Sequence, residues 1–331
     1  MPPEEAQAVH EHVEAIAAIL DANTAPEQLK TLEGSELSGH NLQSRSWRPL
    51  APAIAALLFS VLFSLGGSLE TRSLAQPSIS PTSATKRSPD FGKHFKALGV
   101  NGSLIIYDSK QKQTYEFNPQ RNGTELVPAS TFKIFNSLVA LETGVIPDDV
   151  AVLTWDGIRR KIANQDAPAW NRDTNLRHAF KDSTVWFYQV LARRAGQERM
   201  QQWIDQAGYG NRQLGGANDI DRFWLQGPLK ITPKGQIEFL QRLYQNKLPF
   251  SPRTIALVKD IMVREQTPTY TLRGKTGWLD ASTPDLGWFV GYLEQNKNVY
   301  FFATTVDLLK SEDAPARIEV TRRSLKDLGL L

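Results

Sequence analysis

Apolar residues change their spacing several times along the chain, and each change marks a segment. In residues 4–22, Val9, Val13, Ile16 and Leu20 recur along one helical face until Asn23 breaks the run. Residues 51–69 are apolar almost throughout, with Ile54, Leu57, Leu58, Phe59, Val61, Leu62, Phe63 and Leu65. Residues 76–89 are rich in Ser, Pro and Thr, too poor in apolar surface to order themselves, and read as linker. From residue 91 the pattern is that of a folded domain. Residues 102–108 and 114–118 are β-prone and separated by a polar turn. Phe132, Phe135, Leu138, Val139 and Leu141 follow at helical spacing, and Gly144 ends that run. Residues 286–293 and 299–306 read as strands, joined through Gln295-Asn296-Lys297-Asn298 as a hairpin loop. Residues 316–327 read as a closing helix that ends near Gly329. Strands at both ends with helices between them predict an α+β fold, its antiparallel sheet assembled from both termini.

The apolar segment has the flanks of an export signal. Arg45 and Arg48 precede it, and Ser73-Leu74-Ala75 follows with a small-x-small cleavage pattern. Its position inside the chain leaves two readings, a signal peptide whose true start lies downstream or an uncleaved signal anchor. Its length is near the lower limit for a membrane span. The chain therefore divides into a helical and polar extension (1–50), a signal peptide or anchor (51–75), a linker (76–90) and a domain (91–331). Either reading of the signal exports the domain.

Composition narrows the chemistry. Of 331 residues, 41% are hydrophobic and 22% charged, a balance that supports a buried core. A net charge of +3, with no basic cluster on one face, gives no footprint for nucleic acid. The absence of cysteine removes disulfides, thiolate nucleophiles and cysteine zinc sites. His10, His12, His40, His94 and His178 show no metal-ligand spacing.

The candidate chemistry begins at Ser130-Thr131-Phe132-Lys133. It heads the 132–141 helical run, so Ser130 is placed at a helix N-terminus, with Lys133 on the same face. A serine hydroxyl is a weak nucleophile until a neighbouring base takes its proton, and the free N–H groups of a helix start suit a developing oxyanion. The pattern alone is weak, since S-x-x-K arises by chance about once per few hundred positions. Lys275-Thr276-Gly277, before the terminal strands, is a rarer triplet. In acyl-transfer enzymes of the S-x-x-K type it lines the cleft from a strand. Its ammonium and hydroxyl suit a substrate carboxylate, and its glycine lets an acyl group approach the backbone. Between the two motifs, Ser183-Thr184-Val185 heads an apolar helix through Val190 and Leu191. Three elements in that order outweigh a chance match.

Residues 91–331 resemble a class D, oxacillinase-type β-lactamase. The resemblance rests on Pro128-Ala129-Ser130-Thr131-Phe132-Lys133, Ser183-Thr184-Val185, Tyr209-Gly210-Asn211, Phe223-Trp224-Leu225 with Gly227, and Lys275-Thr276-Gly277-Trp278. Trp155-Asp156-Gly157 and Trp170-Asn171 add further landmarks, and Gln226 departs from the more frequent Glu. The resemblance implies that Ser130, Lys133, Ser183 and Trp224 are catalytic. Val185, Leu225, Lys275, Thr276, Gly277, Trp278 and Arg317 then bind substrate. Lys133 becomes N-carboxylated by carbon dioxide, which only a neutral amine can do. Phe132, Val185, Trp224 and Leu225 are the apolar residues expected to depress its pKa. Backbone N–H groups of Ser130 and Trp278 form the oxyanion hole, Ser183 relays a proton to the leaving nitrogen, and Arg317 takes the substrate carboxylate. Tyr209 and Asn211 read as a structural turn.

The function so implied is hydrolysis of β-lactams, penicillins among them, in the periplasm by a monomer or dimer with no cofactor beyond carbon dioxide. Two alternatives stand beside it. One is a β-lactam sensor that is acylated without turnover, against which the single apolar segment and the lack of H-E-x-x-H speak. The other is a penicillin-binding transpeptidase, which usually has Asn where Val185 stands.

Overall fold

The structure, a computed structural model, describes residues 89–162, 165–280 and 283–331. The expectations for the 1–50 extension, the 51–75 signal and nearly all of the 76–90 linker lie outside the described residues.

The domain opens with α1 (Gly92–Leu98), β1 (Gly102–Asp108), β2 (Gln113–Phe117) and the single turn α2 (Pro119–Asn122). A 3-10 turn, Ala129–Phe132, runs directly into α3 (Lys133–Glu142). Two small ribbons follow, with β3 (Val152–Leu153) paired to β6 (Thr174–Asn175) and β4 (Lys161–Ile162) to β5 (Gln165–Asp166). Then come α4 (Leu176–Lys181), α5 (Val185–Ala195), α6 (Gln197–Ala207), α7 (Pro233–Tyr244) and α8 (Pro252–Ile261). The chain closes with β7 (Val263–Gln266), β8 (Tyr270–Leu279), β9 (Asp285–Gln295), β10 (Asn298–Leu308) and α9 (Ala316–Asp327). Helix starts follow local chemistry. Thr232 and Ser251 cap α7 and α8 by accepting from the N–H three residues on, each with proline in the first turn.

The sheet has six strands in the order β2-β1-β10-β9-β8-β7, with every neighbouring pair antiparallel. The N-terminal hairpin joins the C-terminal strands through β1 and β10, where Gly102 opposes Val306 and Asp108 opposes Tyr300. The sheet is thus assembled from both ends of the domain, as the order of elements implies.

Both faces of the sheet are covered. Trp288, Val290, Tyr292 and Phe301 enter the larger core, with residues of α3, α5, α7 and α8. Phe289, Leu293, Phe302 and Val306 enter a second core with Phe95 of α1 and Val320 and Leu325 of α9. Alternation between two cores explains why β9 reads as an unbroken apolar run and not as a half-polar strand. Asp327 of α9 ties the second layer together, its carboxylate bonding Lys93 at 2.8 Å and His94 at 2.7 Å.

The β9–β10 turn is a two-residue one. Gln295 opposes Asn298, and Asn296 and Lys297 have φ of 51° and 57°. Positive φ at both central positions marks a type I′ turn, which Asn suits and Lys does not. Lys297→Gly should stabilise the domain by about 0.5–1 kcal/mol, read from urea unfolding midpoints at unchanged slope.

Candidate active site

Ser130 lies in the 3-10 turn, three residues before α3 begins at Lys133. The sequence expectation of an α-helical start is therefore met by a tighter turn. Its predecessor Ala129 is fully buried with φ of 47°, and Ser183, at the junction of α4 and α5, has φ of 58°. Left-handed backbone at a non-glycine residue stores about 1–3 kcal/mol and persists only where packing over-determines it.

Lys133 Nζ donates to Ser130 Oγ at 2.7 Å. Lys133 has no exposed surface, and no carboxylate among the described residues pairs with it. Burial alone pulls its pKa from 10.5 down to about 7, because an ammonium there loses its hydration without a counter-charge. The Tyr188 ring lies 5.3 Å from Nζ. Ser137 donates to the Lys133 carbonyl at 2.7 Å, so the Tyr188 hydroxyl, 3.0 Å from Ser137 Oγ, donates to it.

Trp224 packs behind the serine turn. It is fully buried and stacked on Phe132 with ring centroids 5.4 Å apart. Its indole N–H is buried without an acceptor among the described residues. Such an orphan costs about 1–3 kcal/mol, so it marks a place built for an acceptor. The loop that carries Trp224 is pinned by Tyr209-Gly210-Asn211. Asn211 donates from its backbone to the Lys230 carbonyl (2.9 Å) and from Nδ2 to Pro228 (2.9 Å), and accepts from the Lys230 N–H (3.0 Å). Gly210 has φ of 55°, and a Cβ there would lie 2.2 Å from the Lys230 carbonyl oxygen. Tyr209 is buried against Phe132, Phe135 and Phe239. This motif is structural, as its turn chemistry suggests. Leu225, next to Trp224, packs half-buried against the main core, and Val185 is half-buried as the first residue of α5.

β8 divides its residues between two faces. Lys275 Nζ donates to Ser183 Oγ and to the Thr276 carbonyl, each at 2.9 Å, on the side of the serines. Burial, then the charges of Lys133, Arg264 and Arg317, push its pKa well down. The Lys275 amine is thus engaged with Ser183, a contact that the sequence reading did not give it. Gly277 serves a purpose the sequence reading did not give it. A Cβ there would lie 3.2 Å from the Pro128 carbonyl and 3.2 Å from Thr131 Cγ2, so glycine lets β8 press against the turn that holds Ser130. Thr276 and Trp278, alternate residues, face the α9 side. Arg317, in the first turn of α9, stands 5.8 Å from the centre of the Trp278 ring, and its Nε and Nη1 are buried without acceptors among the described residues. Burial, then the charge of Arg264, lowers its pKa to about 10. Trp278 is braced by its indole N–H, which donates to Asp285 at 2.9 Å.

β7 pairs with β8 only at residues 271–273, so β8 beyond Gly274 has an edge without a strand. Gly274 donates its N–H to Met262, on that side, at 2.9 Å. By alternation the N–H of Trp278 points to the same open edge, which the serine turn borders. Among the described residues, no group of three or more His, Cys, Asp or Glu side chains is gathered as metal ligands would be.

Residues 101–326 match the family model of the penicillin binding protein transpeptidase domain. The chain is 40% identical over 233 residues to the β-lactamase OXA-48 of Klebsiella pneumoniae, covering 70% of this chain and 85% of that protein. It is 37% identical over 232 residues to the probable β-lactamase YbxI of Bacillus subtilis, covering 70% and 82%. Among solved structures, the class D β-lactamase YbXI from Nostoc is 64% identical, with a TM-score of 0.71, over 73% of this chain and 99% of that one. The chain belongs to the class D β-lactamases.

The residues that a class D β-lactamase is expected to use thus come from five places: the serine turn with α3, the α4–α5 junction, the loop of Trp224 and Leu225, β8, and the first turn of α9. Sequence reasoning missed Tyr188 and Ser137 behind Lys133, although Ser137 lies four residues on and shares its helical face. The landmarks Trp170 and Asn171 turn out to be braces. The Trp170 indole donates to Asp182 at 2.9 Å and its carbonyl accepts from Trp186 at 2.6 Å, while Asn171 brackets the backbone of Arg160 at 2.8 and 3.0 Å.

Gly277→Ala pushes β8 off the serine turn, and misplacing reacting groups by fractions of an ångström slows catalysis steeply. It should lower kcat/KM for benzylpenicillin by about tenfold to a hundredfold with little change in melting temperature.

Proposed function

We propose that this class D β-lactamase hydrolyses the lactam amide through an acyl-enzyme on Ser130, with Lys133 as the base. The observation that carries the proposal is the 2.7 Å contact between Ser130 Oγ and a buried Lys133 whose pKa is brought to about 7. A neutral amine at that distance takes the hydroxyl proton as Ser130 attacks the carbonyl. The N–H groups of Ser130 and Trp278 receive the oxyanion. Ser183, held by Lys275, passes its proton to the leaving nitrogen and is reprotonated by the ammonium formed on Lys133, so the proton taken from Ser130 ends on that nitrogen. Thr276 and Arg317 hold the substrate carboxylate, and Val185, Leu225 and the Trp278 side chain flank the acyl part.

The pocket also fits carboxylation of Lys133 by carbon dioxide. The amine is largely neutral near pH 7, and the orphaned Trp224 N–H points to an acceptor of the carbamate kind. Once formed, the carbamate supplies a carboxylate base able to serve acylation and deacylation alike. Substrates are penicillin-type β-lactams. Export to the periplasm, through a signal at residues 51–75 that is cleaved or retained as an anchor, belongs to the same proposal and is supported by the sequence of that segment alone.

Benzylpenicillin turnover by the full chain should rise with added bicarbonate and fall at least a thousandfold in Lys133→Ala. A stable adduct on Ser130 without turnover, even in bicarbonate, would replace hydrolysis by sensing or transpeptidation. The pH dependence follows from the lowered pKa. Below about pH 7 Lys133 is an ammonium, which neither accepts a proton nor reacts with carbon dioxide. In kinetics at fixed bicarbonate, kcat/KM should therefore be lost as pH falls through about 7, and not only below pH 5 as a carboxylate base would give.

A further inference from the structure

We propose that Arg264 is a second guanidinium of the substrate-carboxylate pocket and determines how strongly the enzyme prefers anionic β-lactams. The proposal rests on the reading of the β8 edge as the substrate cleft.

Arg264 owes its position to a bulge. Val263 opposes Arg273 and Glu265 opposes Leu272, so Arg264 is the extra residue between them. A bulge re-aims the side chain of its extra residue and bends the edge strand. This one falls at the end of β7, at the corner where the open edge of β8 begins. The Arg264 guanidinium lies over the Phe289 ring, 5.6 Å from its centre, on the α9 face of the sheet. Gly274 opens the way: a Cβ there would stand 2.9 Å from Phe289 Cε2. The next residues along that face of β8 are Thr276 and Trp278, and Arg317 covers Trp278. Arg264 therefore lies over Phe289, the cross-strand partner of Thr276, and Arg317 over Trp278, two residues along the same face.

Arg264 has no acidic partner among the described residues, and the acids around it are already engaged. On the same face of the sheet Asp285 accepts from Trp278, and Glu265, next along β7, pairs with Arg322 and Tyr270. The charge of Arg264 reaches Arg317 and Lys275, depressing both. Two guanidinium groups, Arg264 and Arg317, thus lie on one face of the β8–β9 pair, and neither forms an ion pair among the described residues. Like charges held together raise the attraction for an incoming anion. The ligand class that such a corner recognises is the carboxylate of the substrate.

The test is steady-state kinetics of the full chain and its Arg264→Ala and Arg264→Lys variants on benzylpenicillin and on benzylpenicillin methyl ester. Melting temperatures and the concentration dependence of Ser130 acylation by mass spectrometry accompany them. Arg264→Ala should raise KM for the acid by about three- to tenfold at nearly constant kcat, with the difference shrinking as salt rises. The ester should be unaffected, and Arg264→Lys should restore most of the loss. Equal changes for acid and ester, or no change in KM, would overturn the proposal and leave Arg264 a structural stack on Phe289. If the parent chain acylates without turnover, hydrolysis fails, while the acid-to-ester contrast in acylation still decides the role of Arg264.

Discussion

The active site depends on one constraint: Lys133 is folded into the interior with no acid among the described residues to neutralise it. Moving its pKa from 10.5 to about 7 corresponds to about 5 kcal/mol against the ammonium form. A neutral lysine beside Ser130 is the state that the proposed mechanism needs. Supplying Lys133 with a carboxylate partner would relieve the strain and keep it charged. The amine instead faces the Ser130 hydroxyl and the Tyr188 ring, neither of which balances an ammonium.

The rest of the architecture keeps that pocket closed and its neighbours in place. A sheet packed on both faces makes β8 rigid, so the close approach at Gly277 fixes the serine turn from the strand side. The Asn211 clamp fixes Trp224 from the loop side. The Trp170 brace fixes the α4–α5 junction, where Ser183 sits in left-handed backbone. Strain at Ala129 and Ser183 is affordable because both lie between elements that are already packed. The residues of the proposed mechanism come from separate segments, of which the serine turn is seated by β8, the Trp224 loop by Asn211 and the α4–α5 junction by Trp170.

Much of this was legible in the sequence, and the reason differs by element. β1 and α9 appear with the boundaries their patterns imply, because hydrophobic period and end signals are local. Ser130 and Lys133 were legible because one helical turn places them together, and Lys275-Thr276-Gly277 because the triplet is contiguous. Tyr188 was hidden: its place beneath Lys133 arises from helix packing across fifty-five positions of sequence. Gly277 was found, yet its part in seating β8 on the serine turn is a tertiary contact that no local pattern shows. Arg264 was overlooked since an exposed charged residue on an edge strand ordinarily has no specific partner. Only the bulge turns it towards Phe289.

The most direct test of the account is the titration of Lys133 itself. Protein labelled with ¹³C at lysine Cε, in buffer freed of carbon dioxide, gives one resonance that Lys133→Arg removes. Its chemical shift is followed from pH 5 to 11 by NMR. A midpoint near 7 is the expected result, and it would establish that burial alone makes the base. A midpoint near 10.5 would mean that Lys133 stays charged beside Ser130, and the mechanism built on its neutrality would be wrong.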